Sequence, residues 1–196
     1  PTWAKHFGYQ VFAFLVSVAM VIGVADYAVT KTYDEMELSF VDNFTVTAHS
    51  GAYGTAMNTV QSVQAAVDYH ADIVELDIRQ RPDGTVVMSH DFVVTNNDGN
   101  PVEDAFVILQ NAEMQINLDI KETKCLNNLY DLLVKYNLVE KSFLTGIETI
   151  NVRAVKDSKC ADMDYYLNYM PSRVRVFFDE YRQKLIDLLE ETGAVG

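Results

Sequence analysis

Three acidic side chains lie in two apolar segments, at positions where they could share a metal ion. Glu75 and Asp77 stand two residues apart in the segment VELDI, and Asp119 lies in the segment INLDIK. Because side chains alternate along a β-strand, Glu75 and Asp77 face the same side. Burying these carboxylates without a counter-ion would cost several kcal/mol for each charge. A hard divalent cation removes that cost, and oxygen ligands favour Ca²⁺ or Mg²⁺ over zinc.

Two histidines end apolar segments of the same kind, His49 in TAHSG and His90 in VVMSHD. Because histidine titrates near neutral pH, such a pair suits general acid and base catalysis. With a cation that holds phosphate oxygens, the pair predicts metal-assisted cleavage of a phosphodiester. Each residue alone has a structural explanation as well, since single strand-end histidines and exposed carboxylate pairs are common without any catalytic role.

The elements that must position these residues alternate between short apolar runs and amphipathic stretches, which is typical of a parallel sheet with crossover helices. A turn at Pro82, Asp83 and Gly84 should join two strands, because proline presets φ and glycine accepts a positive φ. The expected strands are 45–49, 73–78, 85–90, 114–120, 142–146 and 164–168. The expected helices are 59–69, 125–136, 151–158 and 172–192.

This order of elements predicts an α/β fold, a TIM-type (β/α) barrel with catalytic groups at the carboxyl ends of its strands. Six strands are expected, and residues 194–196 resemble the opening of a seventh. A closed barrel of this class has eight strands. We therefore expect either a barrel truncated after about six strands or a sheet that stays open.

The N-terminal segment 7–25 runs for roughly 19 residues without a charge, about the length that a helix needs to cross a membrane. It predicts a membrane-spanning helix and connector at 1–43, followed by the barrel domain at 44–196. Lys5 precedes the segment and acidic residues follow it, which favours an extracytoplasmic barrel domain. A removed signal peptide, with small residues at 23–25, and a buried core helix are the alternatives.

The charge balance limits the possible partners. The chain has 15 Lys and Arg against 28 Asp and Glu, a formal net charge of -13. Since affinity for nucleic acids depends on neutralising phosphates, this balance argues against a nucleic-acid partner. An anionic substrate must instead meet a local cation. Cys125 and Cys160 form no C-x-x-C pattern, so they indicate neither a zinc site nor an oxidising compartment.

The ordered motifs in residues 47–91 resemble those of the glycerophosphodiester phosphodiesterases. The family pattern runs HRG, PENT, a helix, GAD, ELDV, KDG and HD, and this sequence has HSG, MNT, HAD, ELDI, PDG and HD in the same order. The segment INLDIK is similar to the family's IEIK strand. The resemblance is firm over residues 45–121 and loose over residues 136–196.

The resemblance implies an enzyme that uses one divalent cation, Ca²⁺ or Mg²⁺, to hydrolyse a glycerophosphodiester to an alcohol and glycerol phosphate, and the N-terminal apolar segment predicts that this enzyme is tethered to a membrane. A lysophospholipid is the other small-molecule substrate considered. Two alternatives stay open: a lyase that releases a cyclic phosphate, as related sphingomyelinase D and phosphoinositide phospholipase C barrels do, and a catalytically impaired phosphodiester-binding module. The implied roles are acid and base for His49 and His90, metal ligand for Glu75, Asp77 and Asp119, and phosphate contact for Lys121.

Two positions depart from the family pattern. Ser50 stands where the family has a phosphate-binding arginine, and Met57 replaces the glutamate of PENT. Arg79 follows Asp77 by two residues and should face the same side, so we hypothesise that it supplies to the phosphate the guanidinium that Ser50 cannot. Ser50 itself remains a candidate phosphate contact. The alternative is an exposed loop arginine. Asn58 is a candidate cap for the helix that follows it.

Overall fold

The computed structural model describes residues 2–35 and 44–196. The chain divides into two compact units, of which the second runs from Thr45 to Gly196. The expected connector reaches residue 43, and its part at 36–43 lies outside the described residues.

The N-terminal unit contains helix α1, Thr2–Glu35, which extends beyond the expected segment 7–25 at both ends. It is long and apolar enough to cross a membrane, with a mean hydropathy of 2.1 over its most apolar window. None of its residues is buried in the structure. The helix continues into the expected connector, where Lys31 and Glu35 form an i, i+4 ion pair at 3.6 Å that favours helix over coil.

The second unit is an α/β fold built around one sheet. Its seven strands in the described residues are β1 Thr47–Ala48, β2 Ile73–Gln80, β3 Val86–Met88, β4 Asn100–Pro101, β5 Gln115–Ile120, β6 Ser142–Ile147 and β7 Tyr165–Leu167. Its helices in the same range are α2 Val60–Asp68, α3 Val102–Leu109, α4 Leu126–Lys135, α5 Val152–Lys156 and α6 Asp179–Thr192.

The connectivity is that of a (β/α) barrel. Strands β1, β2, β5, β6 and β7 run parallel and pair in chain order, and helices cross over between them, as in barrels of this class. Strands β3 and β4 do not belong to this parallel series. They form an antiparallel extension of the sheet, in which β3 pairs with β2 and β4 pairs with β3. The first turn of this extension has Gly84 at φ +91°, as the sequence predicted. The barrel-type α/β fold is therefore confirmed.

The sheet does not close within the described residues. Its hydrogen-bonded order is β4-β3-β2-β5-β6-β7, with β1 on β2. Beyond α6, Val195 N donates to the carbonyl of Tyr165 at 2.9 Å, and the carbonyl of Gly196 accepts from Leu167 N at 2.7 Å. Residues 194–196 thus bond to β7 as the opening of a further strand would.

Two elements between His90 and Asp119 were not expected, the short strand β4 and helix α3. The signal for α3 was present, because its buried residues repeat at i, i+3, i+4 and i+7; they are Val102, Ala105, Phe106 and Leu109. The segment also contains valine, phenylalanine and isoleucine, which favour strands, and for this reason the sequence did not predict a helix here. Helix α6 begins at Asp179 rather than at residue 172, because a 3-10 turn at Arg175–Phe177 precedes it.

The two faces of the central strands, β2 and β5, have different surroundings. One face packs against the helices and forms the core; it carries Val74, Leu76, Ile78, Ile116, Leu118 and Ile120. The alternate positions carry the polar residues of the site. Both cysteines are free and buried, and burial raises the pKa of the Cys125 thiol to about 12 and that of Cys160 to about 11. They are therefore unreactive core residues.

We predict that Leu118→Ala lowers the free energy of unfolding by about 2–5 kcal/mol, because removing a fully buried leucine leaves a cavity. The control Val134→Ala, on the exposed side of α4, should change it by less than about 0.5 kcal/mol. Denaturant unfolding of both variants measures the difference. Similar losses in the two variants would mean that β5 does not lie at the centre of the core.

Candidate metal and active site

Three carboxylates meet where β2 and β5 lie side by side. The register pairs Glu75 with Asn117 and Asp77 with Asp119. Carboxylate oxygens of Glu75, Asp77 and Asp119 all lie within 4.8 Å of one another. Glu75 and Asp77 are buried, and Asp119 is half-buried. The structure thus brings the predicted metal ligands together, because strand alternation turns all three to one side of the sheet.

This set of carboxylates fits a hard cation. Oxygen ligands of Ca²⁺ lie at about 2.3–2.6 Å, so two ligands of one ion are at most roughly 5 Å apart, and the three carboxylates lie within that limit. Burial raises the pKa of Glu75, although the hydrogen bond from the Ser50 N–H acts to lower it. The negative charge of Asp77 raises this pKa further. A bound cation would relieve that repulsion, so the site is suited to one.

Lys121 forms salt bridges with two of these carboxylates. Its Nζ lies 2.8 Å from Asp77 Oδ1 and 2.6 Å from Asp119 Oδ2. Burial acts to raise the pKa of Asp77, but hydrogen bonds from Asn58 and Lys121 outweigh it and hold that pKa below its usual value. One ammonium group cannot balance three carboxylates, so the local charge still favours a divalent cation.

Ser50 positions two of the carboxylates. Its backbone N–H donates to Glu75 Oε2 at 2.9 Å, and its hydroxyl donates to Asp77 Oδ2 at 3.2 Å. The residue is 7% exposed. The sequence suggested Ser50 as a phosphate contact, whereas in the structure both of its donors are turned toward the carboxylates.

Asn58 also holds Asp77, and it is not the helix cap. Its Nδ2 donates to Asp77 Oδ2 at 2.7 Å, and its Oδ1 accepts from Asp77 N at 3.3 Å. The cap of α2 is Thr59, whose hydroxyl accepts from Ser62 N. Asn58 has φ +54°, a backbone conformation that asparagine adopts more readily than most residues. Asn100 of the unexpected strand β4 donates to the Asn58 carbonyl at 2.7 Å.

The two histidines approach the carboxylates from different strands. His49 follows β1, and its Nε2 lies 3.8 Å from Glu75 Oε2. His90 follows β3, which returns along β2 so that Ser89 N donates to the Asp77 carbonyl at 2.9 Å. His90 and Asn58 line one cavity of about 250 Å³. Both imidazoles are more than half exposed, so a substrate can reach them.

Arg79 is buried, with 8% of its surface exposed, so the alternative of an exposed loop arginine is wrong. Its Nε and Nη2 donate to the carbonyl of His90 at 3.3 and 3.1 Å. Its guanidinium carbon lies 4.7 Å from the centre of the Phe92 ring. The expected phosphate contact of Arg79 stays a prediction.

A larger cavity of about 680 Å³ opens beside the carboxylates, at the carboxyl ends of β5, β6 and β7. Asp119 and Lys121 form part of its wall. Gly146, also in this wall, has φ +73°, and a Cβ there would lie 2.2 Å from Asp119 Oδ1. Sequence analysis missed this glycine, because the approach of β6 to Asp119 is visible only in three dimensions.

The comparisons with known proteins agree with this geometry. Residues 48–104 match the model of the glycerophosphoryl diester phosphodiesterase family. No curated protein matches the chain. Among solved structures, the glycerophosphodiester phosphodiesterase of Agrobacterium tumefaciens is similar with a TM-score of 0.52 and 13% identity, over 62% of this chain and 64% of that one. The chain thus spans less than two thirds of that relative.

Two further solved structures share the fold. The glycerophosphodiester phosphodiesterase of Thermotoga maritima has a TM-score of 0.55 and 17% identity, over 79% of this chain and 73% of its own. A phosphodiesterase of Oleispira antarctica, solved with the product sn-glycerol-3-phosphate, has a TM-score of 0.54 and 17% identity. The match covers 76% of this chain and 81% of the other. The resemblance of this chain to the glycerophosphodiester phosphodiesterase family is therefore confirmed.

We predict that Gly146→Ala weakens binding of a divalent cation by about 10- to 100-fold, the usual effect of disturbing a group that supports a ligand. The new methyl group would displace Asp119. Gly193→Ala is the matched control, because Gly193 also has a positive φ, +76°, but no atom lies within 4 Å of its added Cβ. Calorimetric titration with Ca²⁺ and Mg²⁺ measures both. Equal affinities in the two variants would contradict the assignment of Asp119 as a ligand.

Proposed function

We propose that this protein is a metal-dependent phosphoric diester hydrolase that converts a glycerophosphodiester to an alcohol and glycerol phosphate. The observation that carries the proposal is the largely buried cluster of Glu75, Asp77 and Asp119, with His49 3.8 Å from Glu75. The family match over residues 48–104 supports it. The relative from Oleispira antarctica was solved with sn-glycerol-3-phosphate, the product type proposed for this chain.

The proposed cofactor is one divalent cation, Ca²⁺ or Mg²⁺, held by Glu75, Asp77 and Asp119. When bound, such an ion holds phosphate oxygens and offsets their negative charge. Ser50 and Asn58 keep the carboxylates in place through the hydrogen bonds described above. Lys121 lies at the rim of the same cluster, where its ammonium group can also meet a phosphate oxygen.

The two histidines would share the proton transfers. One imidazole takes a proton from the attacking water, and the other gives a proton to the oxygen of the leaving alcohol. This division requires one neutral and one protonated histidine, so turnover should depend on pH as a bell-shaped curve. Because His49 and His90 are both more than half exposed, a diester can reach either imidazole from solvent.

We further propose that residues 1–43 hold the barrel domain, 44–196, at a membrane. Helix α1 is long and apolar enough for a span. Lys5 before the apolar segment and acidic residues after it favour an extracytoplasmic domain.

Product analysis tests the activity. The protein should release glycerol phosphate from glycerophosphocholine or glycerophosphoethanolamine in Ca²⁺ or Mg²⁺, and chelation should abolish the reaction. His49→Asn and His90→Asn should each lower turnover by roughly two to four orders of magnitude, the range usual for a positioned acid or base. His70→Asn is the control, because His70 lies at the amino end of β2 and has φ +55°, which asparagine accepts.

Three results would contradict the proposal. Full activity in chelator would exclude the metal role, and near wild-type rates in His90→Asn would exclude the two-histidine mechanism. A cyclic phosphate released from a lysophospholipid would identify a lyase instead.

Membrane attachment has its own test. The whole chain should sediment with membranes and resist extraction by salt or alkali, because about 20 apolar residues bury in the hydrocarbon core. Replacing two residues of the apolar stretch with charges, Leu15→Arg and Ile22→Arg, should release the protein, since each central arginine costs about 2.5 kcal/mol or more. The matched control is Leu15→Ala with Ile22→Ala. Recovery of the unchanged chain in the soluble fraction would contradict the span.

A further inference from the structure

Arg79 connects the strand that carries the carboxylates to the segment that carries His90. It lies on β2, on the same side as Glu75 and Asp77, because these residues alternate along one unbroken strand. Its Nε and Nη2 both donate to the carbonyl oxygen of His90. A bond of this kind from a charged donor is stronger than one between neutral groups.

The guanidinium group is held in this orientation. Phe92 lies over it, with 4.7 Å between the guanidinium carbon and the ring centre. This contact with the second residue after His90 is a cation–π interaction. Phe92 is 84% exposed and Arg79 only 8%, so Phe92 lies on the solvent side of the arginine. Among the described residues, Arg79 forms no salt bridge with a carboxylate, so its main partners are His90 and Phe92.

We propose that Arg79 is a positioning residue for the reaction: it fixes the backbone at His90 and thereby the place of the His90 imidazole relative to Glu75 and Asp77. The inference rests on the proposed function. Because a displacement of about 1 Å can cost two orders of magnitude in rate, a residue that anchors an acid or base can matter as much as a direct contact.

The rival role is a direct phosphate contact by Arg79, which predicts different kinetics. A group that contacts the phosphate helps to bind the product, so its loss raises the inhibition constant of sn-glycerol 3-phosphate. A group that acts only through His90 leaves that constant unchanged and lowers kcat. The two roles are therefore separable by experiment.

The chain offers a matched control in Arg81. Its Nε donates to the carbonyl of Asp98 and its Nη2 to that of Gly99, both at 2.7 Å. Arg81 thus holds backbone carbonyls in the same way as Arg79, in the segment between β3 and β4, but it does not contact His90. Loss of either arginine should lower the melting temperature, whereas only loss of Arg79 should lower kcat.

The test is a double-mutant cycle in the metal-loaded full chain. Arg79→Met should lower kcat by about 10- to 100-fold with little change in KM, as expected for losing a charge-assisted hydrogen bond. In the His90→Asn background the same change should cost less than about twofold, because the residue through which Arg79 acts is gone. Arg81→Met should leave kcat within about twofold, and the inhibition constant of sn-glycerol 3-phosphate should stay constant throughout.

If Arg79→Met lowers kcat by the same factor whether or not His90 is present, the two effects are independent and the inference is overturned. A tenfold rise in the inhibition constant of sn-glycerol 3-phosphate would overturn it in favour of the phosphate contact. If Arg79→Met does not fold, Phe92→Leu replaces it, because this change removes the ring and leaves both hydrogen bonds. Phe92→Leu should lower kcat a few-fold, again only when His90 is present, and an unchanged kcat would count against the inference.

Failure of the inference and failure of the proposed function give different results. If His90→Asn keeps its activity, the two-histidine mechanism itself is wrong. If His90→Asn is inactive while Arg79→Met matches the wild type, only the positioning role is wrong. A measurement that does not depend on activity supports the distinction. The ¹³C NMR chemical shift of the His90 carbonyl should change in Arg79→Met and stay at its wild-type value in Arg81→Met.

Discussion

The repulsion among three carboxylates in a partly buried site is the constraint on which the rest of this structure depends. Glu75 and Asp77 are almost fully removed from water, and Asp119 is brought against them by the pairing of β5 with β2. Charges placed so closely cannot all be ionised without compensation. Ser50 and Asn58 supply neutral donors, Lys121 supplies one positive charge, and a divalent cation would offset the remaining imbalance.

The same two strands support both stability and chemistry, because alternation assigns their residues to opposite faces. Leu76 and Leu118 are paired in register on the core face, and Asp77 and Asp119 are paired one position further on the other face. A shift of register by a single residue would exchange the two sets. The packing of the apolar face therefore fixes the geometry of the carboxylates on the opposite face.

Much of the fold could be predicted from the sequence, because alternating apolar runs define strands locally and the motifs fall at their ends. The contacts of Ser50, Asn58 and Arg79 could not be predicted. Each depends on a partner 11 to 27 positions away along the chain, which no local pattern specifies. Helix α3 was missed for a different reason: its residues have mixed propensities, and burial of Phe106 and its neighbours decided in favour of a helix.

His90 reaches the site on an antiparallel return strand, whereas the carboxylates and His49 stand on or directly after parallel strands. This difference has a consequence for how sequences of this kind can diverge. The turn at 81–84 sets the register of β3 on β2, and a slip of one residue between these strands would turn His90 to the opposite face. Within the described residues, no strand pairing fixes the length of the segment 93–97, which lies between Phe92 and the carbonyls that Arg81 binds. Insertions that enlarge or reshape the entrance are therefore easier to accommodate beyond the histidine than before it.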